Sequence, residues 1–285
     1  MSYNENMSVK DYYILHFNDL TPNKQFHFAT RMKNWLKTTS FDDYLQQHMP
    51  GRSLKELFFN DDFSHVNNLE VRRVFFERYQ GLYALEATLF RVYHLLVEYG
   101  MDVREDFEIL CSRETLYKFC DTLAEDTEAL VALTSYAVNA VCLSEELFPR
   151  EKDVVAKLGR AILKSPKQDA NTIYAYTHLI ICDTGFYHRE INAKHQSLFK
   201  DCLAKCEELL EADFTETSLD TKLEFLVCCR LVDYGSHLRD RIAAECQANL
   251  KDSPFVTDYR KADRLNTFDG AEHRNVLYIM SGLDS

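Results

Sequence analysis

Histidines and carboxylates at short spacing are the groups in this chain with the chemistry for a site. His94 and Glu98 are four residues apart, His178 and Asp183 five, and Asp233 and His237 four. Tyr187, His188 and His195 follow the second pair closely. Such pairs can act as a general base with its orienter, or as ligands to zinc or iron. A zinc ligand must lie within about 2 to 2.2 Å of the metal, whereas packed helices stand about 8 to 10 Å apart, so the spacing assigns no metal and no cofactor. His178 and Asp183 are the candidate base and orienter, with Tyr187, Asp233 and His237 as further catalytic candidates. His178 lies inside the apolar run Ile173 to Cys182, where an imidazole must be hydrogen-bonded, and Thr177, Tyr174 or Asp183 can satisfy it locally.

The elements that must position these groups are announced by a recurring phrase: an acid, any residue, glycine, three residues, arginine and another acid. It reads Glu98-Tyr-Gly100-Met-Asp-Val-Arg104-Glu105, Asp183-Thr-Gly185-Phe-Tyr-His-Arg189-Glu190 and Asp233-Tyr-Gly235-Ser-His-Leu-Arg239-Asp240. A degenerate copy, Ser144-Glu-Glu146-Leu-Phe-Pro-Arg150-Glu151, gives steps of 46, 39 and 50 residues, the length of a helical hairpin. Glycine there supplies a left-handed stop, the later acid favours the first turn of the next helix, and the arginine reaches back to the preceding acid. Glu98, Arg104, Arg189 and Arg239 thereby share one rim and are its candidate binding residues.

Eight glycines and five prolines in 285 residues fit long helices joined by short turns, and 46% hydrophobic content suffices for a sizeable core. The expected fold is all-α, an array of antiparallel hairpins forming an α/α toroid or curved solenoid. Residues 1–66 form an N-terminal helical cap and residues 67–285 the repeat domain. Thr21-Pro22 predicts a helix to about Lys37, and Asn68 opens a periodic stretch from Leu69 to Tyr99 that Gly81 can split. Ser112 and Thr127 are expected N-caps, the second opening an inner helix to Leu143. Further helices are predicted over Lys152–Leu163, Asn171–Cys182, Lys194–Glu211, Leu219–Val232 and Ser236–Leu250, with the more apolar member of each pair ending at the phrase.

Several function classes lose their signatures. No GxGxxG, GxxxxGK[ST], GxSxG or HExxH occurs. Phe41-Asp-Asp-Tyr44 and Asn60-Asp-Asp-Phe-Ser64 resemble the metal-binding acids of terpene synthases but lack the remaining acids and the spacing. A formal charge of −12 argues against a nucleic-acid groove or an anionic-membrane surface. Nine cysteines in no CxxC pattern, with neither a basic, apolar leader nor a spanning run, fit the cytoplasm.

The block Thr177-His178-Leu-Ile-Ile-Cys-Asp183-Thr-Gly185, with Cys229-Arg-Leu-Val-Asp233-Tyr-Gly235 and His273-Arg-Asn-Val-Leu-Tyr, resembles an uncharacterised bacterial family of α/α-hairpin proteins over roughly residues 170 to 280. The resemblance implies a toroid of the kind lanthionine cyclases, terpene cyclases and helical glycosidases also use, and it implies fold without function. The Cys-Cys-His zinc set of the first and the aspartate motif of the second are not evident. The function expected is non-catalytic binding of a protein or peptide on a concave, aromatic-lined face, as an accessory factor in a bacterial biosynthetic or regulatory pathway. The alternative is an enzyme with its pocket at the toroid centre, built on His178 and Asp183.

Overall fold

A computed structural model describes residues 7–48, 102, 104–132, 135–166, 168–251 and 253–284. All regular elements among them are helical. His94, Glu98, the Leu69–Tyr99 stretch with Gly81, and the Asn60-Asp-Asp62 acids lie outside the described residues. The chain divides into two compact units, residues 49–202 in one and residues 1–48 with 203–285 in the other.

The N-terminal segment forms α1 (Val9–Leu15), α2 (Pro22–Leu36) and α3 (Asp42–His48). α2 starts at the expected proline, whose missing N–H costs nothing in a first turn, and Lys37 stops it in the left-handed region at φ 52°. The first unit continues after residue 202 with the rest of α10 (Gln196–Ala212), then α11 (Leu219–Val232), α12 (Arg239–Leu250) and α13 (Glu272–Ser281). α13 packs against α11, α2 and α1, burying Val276 through Met280. His27 of α2 meets the fully buried Glu272 of α13 at 2.8 Å, and the Asp284 carboxylate accepts from Val9 N–H and Lys10 N–H at the start of α1. Burial pushes the Asp284 carboxyl above its ordinary range, although both N–H groups pull it down.

The second unit holds α4 (Arg104–Leu110), α5 (Arg113–Glu125), α6 (Thr127–Ala132), α7 (Ser135–Leu147), α8 (Val154–Leu163) and α9 (Ala170–Asp183). α7 and α9 form its centre, with α5 on α7 and α8 on α9. Ser112 caps α5 as expected, accepting from Thr115 N–H. Thr127 does not cap α6: Asp126 does, through Ala129 N–H at 2.9 Å, because a carboxylate one residue earlier reaches the free N–H groups. Of the inner helix expected to run to Leu143, Thr127–Ala132 and Ser135–Leu147 are helical among the described residues.

The predicted contrast between the apolar helices that end at the phrase and their polar neighbours is seen for α9 and α11 against α12. α9 and α11 are buried around most of their circumference, whereas α12 buries only Ile242 and Cys246. Helices without a polar face cannot turn toward water, so their ends must be closed by side chains at the turns. Those closures concentrate the ionisable groups singled out above.

Candidate functional site

α9 ends in a Schellman-type turn. Gly185 N–H bonds to Cys182 O and Phe186 N–H to Ile181 O, with Gly185 left-handed at φ 60°. Phe186 and Tyr187 continue in that region at φ 53° and 75°, which costs about 1–2 kcal/mol for each residue bearing a Cβ. Burial of both aromatic side chains and a bond from Tyr187 N–H to Thr184 Oγ1 offset the strain. Glycine does not play the expected role after α11. There Asp233 itself is left-handed at φ 54°, with Tyr234 N–H on Cys229 O, and a Cβ on Gly235 would meet nothing within 4 Å. Aspartate tolerates this conformation better than most residues, so the turn closes two residues early.

The turn carries Asp183 into the interior, 8% exposed. Its Oδ2 accepts from Asn192 N–H at 2.7 Å, and its Oδ1 lies 2.8 Å from Nδ1 of His195. His195, 4% exposed, turns its Nε2 to the Asp153 carboxylate at 3.0 and 3.1 Å. Asp153 caps α8 through Ala156 N–H and pairs with Lys194 Nζ at 3.0 Å. Burial alone would raise the Asp153 carboxyl, but Ala156 N–H, His195 and Lys194 outweigh it and hold the group far below the usual carboxylate range. One imidazole therefore fastens the start of α8 to the end of α9.

This arrangement corrects the partner expected for Asp183. Five residues along a helix correspond to a rotation of about 140°, so His178 and Asp183 do not share a face. His178 instead donates from Nδ1 to Tyr174 O at 2.9 Å, one turn back and half-buried, as local satisfaction by Tyr174 anticipated. Tyr187 is buried beneath the turn, while Asp233 and His237 belong to the other unit, both exposed.

A second acid cluster gathers the turn after α11. Glu207 of α10, 7% exposed, accepts Tyr234 Oη–H at 2.8 Å, the Ser236 hydroxyl and His237 N–H. The His237 ring lies between Glu207 at 3.1 Å and Glu211 at 2.7 Å. Burial would raise the Glu207 carboxyl, but the hydrogen bonds from Ser236 and Tyr234 lower it overall. His237 is pushed up, first by the Glu211 hydrogen bond.

The sign of the pH effect follows. A carboxylate depressed in the folded state contributes stability that is complete above its unfolded value, about 4.3 for glutamate, and is lost as pH falls. A raised histidine contributes below about 6.5, and that contribution fades as pH rises through the folded value. The melting temperature is therefore expected to drop between about pH 5 and 3, and Glu207→Gln to flatten that slope. A Glu207→Gln protein with an unchanged acid slope removes Glu207 from this role.

The rim arginines reach helix ends. Arg104 Nε donates to Leu147 O at 3.0 Å. Arg189 Nε donates to Asp183 O at 3.1 Å while its two Nη groups grip Glu146 at 2.9 and 2.8 Å. Arg239 donates to Ser281 O and Gly282 O. Cations at helix C-termini complement the dipole and fill otherwise unused carbonyls. Within their own phrases, Arg104 pairs with Asp102 at 3.0 Å and, in the degenerate copy, Arg150 pairs with Glu145.

Chemically, both His195 nitrogens face carboxylates and the ring is shut from solvent, so it has no free nitrogen to offer a substrate. The carboxylates flank it instead of converging with it. Among the described residues no group of three or more His, Cys, Asp and Glu is arranged to hold a metal ion. All nine cysteines are free thiols, eight of them buried, and burial pushes Cys120, Cys202 and Cys246 up to about 12, away from the reactive thiolate. Asp153, Glu207 and Glu211 escaped the sequence reading. The usable signal was a helix-capping aspartate at Asp153 and an i, i+4 acid pair at Glu207 and Glu211. Comparison with protein-family models, curated proteins and solved structures returns no match. Among the described residues no helix is long and apolar enough to cross a membrane.

Proposed function

We propose that this chain is a non-catalytic helical-repeat protein that binds a protein or peptide partner. The observation that supports it most is the engagement of Asp183, His195, Asp153 and Glu207 in closing helix ends, which commits these acid and histidine groups to architecture. Function then falls to surfaces that a rigid helical frame presents. The finer architecture, an α/α toroid or curved solenoid of the bacterial α/α-hairpin kind with a concave face, is part of this reading, as is a cytoplasmic accessory role. A random peptide-display selection on immobilised protein tests it. The expected result is a consensus peptide that binds in solution with a Kd in about the micromolar range and is competed by the unlabelled peptide. Selection rounds that converge on no sequence sink the reading.

A further inference from the structure

α8 carries its charge in one sign and one row. From Val154 to Lys164 the segment reads Val-Val-Ala-Lys-Leu-Gly-Arg-Ala-Ile-Leu-Lys, with no acid, in a chain where 45 acids outnumber 33 lysines and arginines. Lys157, Arg160 and Lys164 recur at three and four residues, which places them within about 60° of one another on the helix and spreads them over about 10 Å. All three are exposed. None forms an ion pair with a described residue, whereas Lys33, Arg150, Arg189 and Lys194 are each drawn to a carboxylate.

Helix-end electrostatics explains only part of the row. Arg160 and Lys164 lie in the last turn, where the dipole favours cations, but Lys157 stands a turn earlier. The opposite face of α8 is fixed. Val154, Leu158 and Ile162 are buried there, and Gly159 lets the helix approach so closely that a Cβ would stand 2.9 Å from Leu198 Cδ2 and 3.1 Å from Leu179 Cδ2. Asp153, pinned by His195, holds the N-terminal end. The cations are thus displayed on a support that does not yield.

We propose that the row Lys157, Arg160 and Lys164 is the seat of an acidic peptide segment of a protein partner. The proposal rests on the binding reading above and gives it a location and a ligand chemistry. Carboxylates on one side of an extended peptide recur about every 6.6 Å, so two or three of them span the row. Charge complementarity selects the sign, and the overall charge of −12 selects the size. A long polyanion such as nucleic acid extends past the row into the repulsion of the remaining surface, whereas a short acidic segment does not.

The test is fluorescence anisotropy of a labelled peptide of alternating glutamate and serine, titrated with the full chain at low ionic strength. Wild-type protein is compared with Lys157→Glu/Arg160→Glu/Lys164→Glu and with Lys118→Glu/Lys200→Glu/Lys251→Glu, which changes the net charge equally at other exposed lysines. The expected result is saturable binding that weakens as salt rises, is lost by about tenfold or more in the first variant and is kept within about twofold in the second. Absence of binding by wild-type protein, equal losses in both variants, or a single-stranded oligonucleotide bound more tightly than the peptide overturns the proposal. The peptide-display selection separates the two levels. A consensus retained by the α8 variant removes this surface alone, while the lack of any consensus removes the binding function itself.

Discussion

Asp183→Ala is expected to destabilise the folded chain by about 3–5 kcal/mol, because it strips a buried imidazole and the part-buried Asn192 backbone N–H of the same carboxylate at once. The loss is to be read as a shift in the urea midpoint with little change in slope. Its origin is tested by two double-mutant cycles. Paired with His195→Ala, Asp183→Ala should show a coupling of about 0.5–3 kcal/mol, since the two rings of contact are one network. Paired with His178→Ala it should be additive within about 0.5 kcal/mol. Coupling to His178 without coupling to His195 restores the pair read from the sequence and discards the clamp that joins α8 to α9.

Gly270→Ala is expected to cost about 3 kcal/mol or more, at the upper end of what overpacking does. The reason is local and steric. A Cβ at Gly270 would stand 2.1 Å from the carbonyl oxygen of Arg264 and 3.0 Å from Leu265 Cα, both backbone atoms that cannot swing aside. The loop from Arg264 to Gly270 is closed on itself through Thr267, whose hydroxyl donates to Arg264 O and accepts from Gly270 N–H. It also contains Asn266, whose Oδ1 accepts from Arg274 Nη1 at 3.0 Å and from Asp258 N–H at 2.8 Å. Gly235→Ala is the matched comparison, expected to change stability by less than about 0.5 kcal/mol because its Cβ points into open space. Equal denaturation midpoints for the two variants defeat the steric account.

The helices were the legible part of this chain. α2 was marked by Thr21-Pro22, and α9 and α11 by apolar periods long enough to fill a core, so their positions followed from local chemistry. The phrase at their ends was legible as helix-end chemistry, yet its atoms were not. Arg239 caps α13 more than forty residues away, and no local spacing encodes which helix end a long cation will find. His195 lies 12 residues beyond Asp183, across a turn with three consecutive left-handed residues, and Asp153 lies 42 residues before His195. Short-range periodicity favoured His178 because it was close along the chain. The tertiary turn made a more distant histidine closer in space.

The contact between α2 and α13 joins residues made at very different times. His27 and Glu272 are separated by 245 residues, so at a ribosomal rate of about 5–20 residues per second α2 emerges roughly ten to fifty seconds before the helix that covers it. During that interval Phe28 and Met32, both fully buried in the finished fold, lack α13 as a cover. A nascent chain in which α2 waits on a helix 245 residues later is a natural client for a chaperone that shields apolar surface until that helix emerges.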